Sequence, residues 1–171
     1  MGGYNQAIAR ILKSQVKSGR SSQYVNQFEG YNVVTDSYQI YYLTGSCESF
    51  EKRPNQLLNL GKLLDRASEI LVGKEEFQLD YDLNRSRMRG KPKQRCVLIN
   101  GYPFDSKLIR DMLDIMGKEA WYKIGKVSLP FCDFRAVVCE NERGKSLVLP
   151  YRTYGVLSMY PEITINSRKI V

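Results

Sequence analysis

The sequence predicts an α+β fold in which antiparallel sheets carry two or three helices packed on one side. Two kinds of pattern and one kind of punctuation lead to it. Apolar residues recur at helical spacing over 4–17 and 105–116. Runs rich in Val, Ile and Tyr read as strands over 23–45 and 121–152. Short turn signals at Asp36-Ser37 and at ENERGK join those runs into hairpins. With 171 residues the chain is sized for one domain with appendages. The expected division is a domain over 1–152 and a C-terminal extension over 153–171 that adds further strands to it.

From Tyr4 to Lys17, Ile8, Ile11, Leu12 and Val16 form one apolar stripe, the mark of a helix lying on a core. Gln6, Arg10, Lys13 and Lys17 fall in a second stripe without an acid among them, and Arg20 follows it. The stretch QYVNQFEGYNVVTDSYQIYYLTG reads as two or three strands punctuated at Gly30, Asp36-Ser37 and Gly45. Asp36 is expected to bond nearby backbone amides and so make a hairpin turn, with no catalytic role.

After Pro54, Leu57, Leu60, Leu64, Ala67 and Leu71 share one face of a second expected helix, interrupted near Gly61. EFQLDYDL alternates as a half-exposed strand, with Asp80 and Asp82 facing away from its apolar side. NRSRMRGKPKQR, residues 84–95, carries Arg85, Arg87, Arg89, Lys91, Lys93 and Arg95 with no acid, a local charge of +6 against +8 for the chain. Gly90 and Pro92 make it a loop or a hairpin tip able to meet phosphates.

RCVLI is expected to be a strand and NGYPF a turn, with Asp105 capping a helix through Met116 that Gly117 ends. Leu108, Ile109, Met112, Leu113 and Met116 form its buried face, while Asp111 and Asp114 are expected outside, diluting Lys107, Arg110 and Lys118. AWYKIG, FCDFRAVVCE and KSLVLPYRTY follow as strands, and the tail can add one or two more.

Composition narrows the function. A hydrophobic share of 43% with 26% charged residues belongs to a globular chain, and no run approaches the roughly 18 apolar residues of a membrane span. The N-terminal MGGYNQAIARILK has no signal core, so a cytoplasmic protein with no membrane partner is expected. Its scattered cysteines, Cys47, Cys96, Cys132 and Cys139, suit buried free thiols. With no histidine, Ser-His-Asp, Cys-His and His-metal chemistry are excluded. Asp80 and Asp82 lack a third ligand, so no metal or other cofactor is expected. RGKS at 143–146 fails as a phosphate loop because Cys139 stands where the first glycine is required and a hairpin follows. Twenty-six basic against eighteen acidic residues point to a polyanionic partner.

The order of elements resembles a domain of the bacterial and phage-type DNA polymerase sliding clamp. In that family a helix leads into strands carrying a T-D-G-Y-R-like turn, matched here by Thr35, Asp36, Ser37, Tyr38 and Gln39. A later D-x-K/R-x-L-x-D-x-L helix is matched by DSKLIRDML at 105–113, and an M-P-x-R-like element by LVLPYR at 147–152. Ser37 and Gln39 depart from the family's Gly and Arg, and one such domain stands where a bacterial clamp subunit has three. The resemblance implies a non-enzymatic DNA-clamp-like protein, a processivity or tethering factor of the kind phages and mobile elements encode. Its first helix would contact double-stranded DNA non-specifically through Arg10, Lys13, Lys17 and Arg20, with the 85–95 cations as a looser contact. Leu149, Pro150, Tyr151 and Arg152 would line a pocket for a peptide of a polymerase or repair protein, and a homo-oligomer is implied. The alternative is a monomeric nucleic-acid-binding or protein-interaction adaptor with the same fold and no ring.

Overall fold

The structure is a computed structural model, and it describes residues 2–17, 24–36, 38–54, 75–79, 96–99, 101–117, 120–129, 132–151, 162–163 and 165–169. The helix expected over 55–71, the Asp80 and Asp82 pair, Arg20, Arg152 and the 84–95 loop lie outside these residues.

Helix α1 spans Gly2–Lys17 and buries Ala7, Ile8, Ile11 and Leu12, the stripe its spacing announces. Strands β1 (Val25–Phe28), β2 (Tyr31–Thr35) and β3 (Gln39–Leu43) form an antiparallel meander. Its first turn places Glu29 at φ 45° and Gly30 at φ 82°, the two positive values of a hairpin turn whose twist suits the flanking strands. Strand β4 (Lys52–Pro54) then runs parallel to β1.

The second half holds β5 (Glu75–Leu79), β6 (Cys96–Ile99), β7 (Tyr102–Asp105), helix α2 (Ser106–Met116), β8 (Trp121–Leu129), β9 (Cys132–Asn141) and β10 (Gly144–Val148). The turn expected over NGYPF is shorter than anticipated. Gly101 bends the chain at φ 78°, and Tyr102–Asp105 already pairs with β6 as a strand. Asp105 does cap α2, its carboxylate accepting the Lys107 amide at 2.9 Å, and Gly117 ends the helix with its own amide on the Leu113 carbonyl. The tail contributes β11 (Glu162–Ile163), parallel to β6, and β12 (Ile165–Lys169), antiparallel to β5.

Nine strands join in the order β12-β5-β8-β9-β10-β3-β2-β1-β4, and β11-β6-β7 make a smaller sheet. The fold is thus mixed α+β with a large, antiparallel-dominated sheet and, among the described residues, two helices. Within it lies a topological repetition. Helix α1 precedes the meander β1-β2-β3, α2 precedes the meander β8-β9-β10, and the last strand of each meander pairs antiparallel with the other at the centre.

Strand alternation decides what each face buries. Val25, Val34, Tyr41, Leu43, Tyr122, Val137, Cys139 and Val148 meet both helices and Val97, Ile99 and Phe104 of the smaller sheet in the main core. The intervening Val33, Ile40, Tyr42, Ala136, Val138 and Leu147 form a second buried cluster on the opposite face. Both described helices therefore lie on one face of the large sheet, and the other face is also withdrawn from water. At the central joint Gly144, at φ 132°, faces the Tyr42 backbone so closely that a Cβ would collide with its carbonyl oxygen. Cys47, Cys96 and Cys139 are free and buried, as expected of structural thiols.

Candidate functional site

The turn between β2 and β3 is built on Asp36. Its Oδ1 accepts the Tyr38 amide at 2.7 Å and the Gln39 amide at 3.1 Å, while the Asp36 amide donates to the Gln39 carbonyl at 3.1 Å. This is the structural turn that an aspartate before a short polar residue announces. Its Oδ2 faces Gln39 Nε2 at 3.1 Å and the Ser14 hydroxyl of α1 at 3.0 Å. Gln15 Nε2 donates to the Thr35 carbonyl at 2.7 Å, a second tie between α1 and the same hairpin.

Gln39 carries the linkage to α2. Its Oε1 accepts the Tyr41 hydroxyl at 2.9 Å, and its Nε2 approaches Asp111 Oδ2 at 3.4 Å. Burial, with Asp111 and Asp36 nearby, pushes the Tyr41 phenol well above its ordinary value, so it remains a neutral donor. Asp111 in turn meets Arg10 of α1, whose Nε donates to Oδ1 at 2.9 Å, and Arg10 Nη2 reaches Asp114 Oδ2 at 3.0 Å. The seam between the helices is therefore a forked ion pair, one guanidinium on two carboxylates.

This overturns the outward placement expected for Asp111 and Asp114, which are each 5% exposed. Helix α2 has two packing sides, one against the sheet and one against α1, and the acids occupy the second. Burial raises the Asp111 pKa above its ordinary value even though Arg10, Arg110 and Gln39 all lower it. For Arg10, desolvation works against the charge, but the two carboxylates outweigh it and hold the pKa above its ordinary value. Arg10 thus sits in the seam with its charge matched, rather than as an unpaired cation of the acid-free stripe expected on α1.

Tyr4 near the start of α1 shares a cleft with Arg143, which bonds the Ile115 carbonyl at the end of α2, whereas Ser14 and Asp111 both tie to the Asp36–Gln39 turn, so the two helices run in opposite directions. The C-terminal half of α1 and the first turn of α2 consequently share one end of the pair. Lys13 is exposed there on α1, and Lys107 is exposed one turn before Asp111 on α2. Neither makes an ion pair among the described residues. Arg110 lies 3.9 Å from Asp111, so the two arginines and two aspartates of the seam balance, and the exposed Lys13 and Lys107 share their end of the pair with the carboxylates of Asp36 and Asp105. Lys17 belongs to α1 by backbone, and its side chain is not among those described.

Leu149, Pro150 and Tyr151 are half-buried just after β10. The Leu149 amide donates to the Tyr38 carbonyl at 2.9 Å and the Tyr151 amide to the Pro103 carbonyl at 2.9 Å, while the Leu149 side chain packs on the second apolar cluster. A cleft of about 470 Å³ lies elsewhere, at the N-terminal end of α1, lined by Tyr4, Thr44, Ser46, Glu48, Glu142 and Arg143 among others. One wall of it is committed to helix capping. Arg143 Nη1 donates to the Ile115 carbonyl at 2.9 Å and Asn141 Nδ2 to the Met116 carbonyl at 2.7 Å, satisfying the last turn of α2. Burial, reinforced by a hydrogen bond with Cys47, pushes the Tyr4 phenol up to about 12.

Sequence reasoning missed two members of this site. In the sequence Tyr38 marks only a turn, whereas the Asp36-anchored turn leaves its side chain 61% exposed. Lys107 looks diluted by Asp111 and Asp114 in the sequence, because their neutralising partner is Arg10, 101 and 104 positions away. Among the described residues no group of three or more acids and thiols could hold a metal ion. No helix there is long and apolar enough to cross a membrane. Comparison with protein-family models, curated proteins and solved structures gave no match.

Proposed function

We propose that this chain is a non-enzymatic, clamp-like DNA-associating protein that holds double-stranded DNA by its phosphates and does not read its sequence. The observation that carries this reading is the helix pair. Two oppositely directed helices lie on one face of a sheet assembled from two helix-and-meander units, their seam charges cancel, and Lys13 and Lys107 stand outward at one end. Two exposed lysines can meet phosphates without presenting a specific hydrogen-bonding pattern to base edges. The net charge of +8 acts in the same direction at longer range. A role in processivity or tethering is the biological form of this proposal, with a polymerase or repair-protein peptide as further partner.

A second reading, the monomeric adaptor, is favoured by one feature. Strand β4 ends the large sheet, and it is three residues long with Lys52, Arg53 and Pro54, features that discourage a further strand from pairing.

The test is fluorescence anisotropy of a labelled duplex across a salt series, with solution mass measured by light scattering in parallel. Wild type is expected to bind with a steep salt dependence, and Lys13→Ala with Lys107→Ala to lower the slope of log K against log salt by about 1 per lysine removed. An unchanged slope would remove the helix pair as the contact. A closed oligomer supports encirclement, and a monomer under all conditions supports the adaptor.

A further inference from the structure

We infer that Lys126 and Arg135, partners across the β8-β9 ladder, bind one oxyanion between them, and that it is a backbone phosphate of the duplex that Lys13 and Lys107 meet. The oxyanion site stands on its own geometry, and its assignment to duplex DNA rests on the reading proposed above.

Register places the two cations together. Lys126 of β8 lies directly opposite Arg135 of β9, and both are exposed. Ile124 and Val137, opposite each other two positions away, pack in the main core, so by alternation the cations stand on the face of the sheet that carries both helices. Like charges directly opposite in an antiparallel ladder are roughly 5 Å apart at Cβ and destabilise it, a cost that an anion between them removes. Asp133 stands two positions before Arg135, opposite Ser128, and Glu75 of the adjoining β5 stands opposite Lys169. Lys126, Arg135 and Lys169 against those two acids keep this corner of the sheet net positive.

Arg135 is the better-defined half. Its guanidinium lies 5.3 Å from the centroid of the Tyr102 ring on β7, and among the described residues it makes no ion pair. A guanidinium held over an aromatic face keeps its in-plane N–H fork free, and that fork matches the oxygens of a phosphate. The Lys126 ammonium opposite brings a second charge to the same anion. Tyr102 also ties the pair to the helices. Strand β7 runs from it straight into α2, and the chain from Tyr102 to Lys107 can span no more than about 18 Å. A duplex carries one charge per ~1.7 Å of its axis, so one seated at Lys107 has phosphates within that reach.

The experiment has two arms, each with wild type, Lys126→Ala, Arg135→Ala and the double variant. In one, a labelled duplex is titrated by anisotropy across a salt series. In the other, inorganic phosphate is titrated while the arginine Nε–H resonances are followed by NMR. Both residues are exposed, so the variants are expected to fold as wild type does. The double variant should lower the slope of log K against log salt by about 1, the loss of one phosphate. Each single variant should weaken binding and lower the slope by less, because the remaining cation still holds that phosphate. A fall of about 2 in the double variant means two separate phosphates and overturns the shared site. An unchanged slope in the double variant, where Lys13→Ala with Lys107→Ala does lower it, overturns the pair and leaves the DNA reading standing. A phosphate-dependent shift of the Arg135 resonance without duplex binding keeps the oxyanion site and overturns DNA as its source, together with the DNA reading. No response to either ligand overturns both.

Discussion

Replacing Arg10 with methionine is expected to lower the unfolding free energy by roughly 2–3 kcal/mol at neutral pH. The substitution keeps the stem that packs along the helix and removes the charge that two carboxylates share. Asp111 and Asp114 have side chains only 7% and 0% exposed, so without the guanidinium two buried carboxylates lose the cation they share. Because Arg10 itself is 34% exposed, the loss falls below that of a fully buried ion pair. The pH dependence follows from the raised pKa of Asp111. A carboxyl that holds its proton more tightly folded than unfolded contributes stability below its unfolded pKa and loses it as pH rises through the folded one. Removing Arg10 raises that folded pKa further, so the deficit of the variant should shrink on going from neutral to mildly acidic pH. Urea unfolding at the two conditions measures this. Adding Asp111→Asn and Asp114→Asn to Arg10→Met should recover part of the loss at neutral pH, and a variant as stable as wild type would show that the fork contributes nothing.

Gly144→Ala should be at least as damaging, costing about 3 kcal/mol or more, because two penalties coincide. Its φ of 132° lies where a side chain is strained, and the added methyl group would be driven into the Tyr42 carbonyl, with Leu43 Cα only 3.1 Å away. Relief requires β10 to move off β3, and that pairing joins the two halves of the large sheet. Gly30→Ala is the control, since φ is positive there as well, at 82°, but nothing lies within 4 Å of the new Cβ. The control should lose about 1 kcal/mol. Thermal unfolding that finds the two variants equally stable would remove the close approach as the reason for glycine at 144.

What the sequence made legible was local. Helical spacing located α1 and α2, runs rich in Val, Ile and Tyr located β2, β3 and β8 to β10, alternation located β5, and single residues fixed their ends: Asp36 for the hairpin, Asp105 for the cap, Gly117 for the stop. What stayed hidden depended on partners far along the chain. Asp111 and Asp114 look like surface acids on a helical wheel, because a wheel shows one apolar side and cannot show a second helix arriving with Arg10. The parallel pairing of β1 with β4 and the docking of β11 on β6 likewise follow from tertiary placement and have no turn chemistry to announce them. The repetition of helix and meander was invisible because its two copies share topology and not residues. Within the site, Asp36 was read correctly as a turn-former, whereas Tyr38 and Lys107 acquire their setting only when hairpin and helices are brought together.

The central joint has a kinetic consequence. Residues 39–43 meet residues 144–148 in reverse order, across 101 to 109 positions of chain, farther than any other strand pairing among the described residues. Each meander can zip from its own tight turns, but bringing the two together closes a loop of about a hundred residues, whose entropy cost falls before the reward of the contacts it makes. The chain is thus built to assemble as two independently nucleated halves whose late union is the slow event, and until that union the inner edges of β3 and β10 are open to pairing with a neighbouring chain.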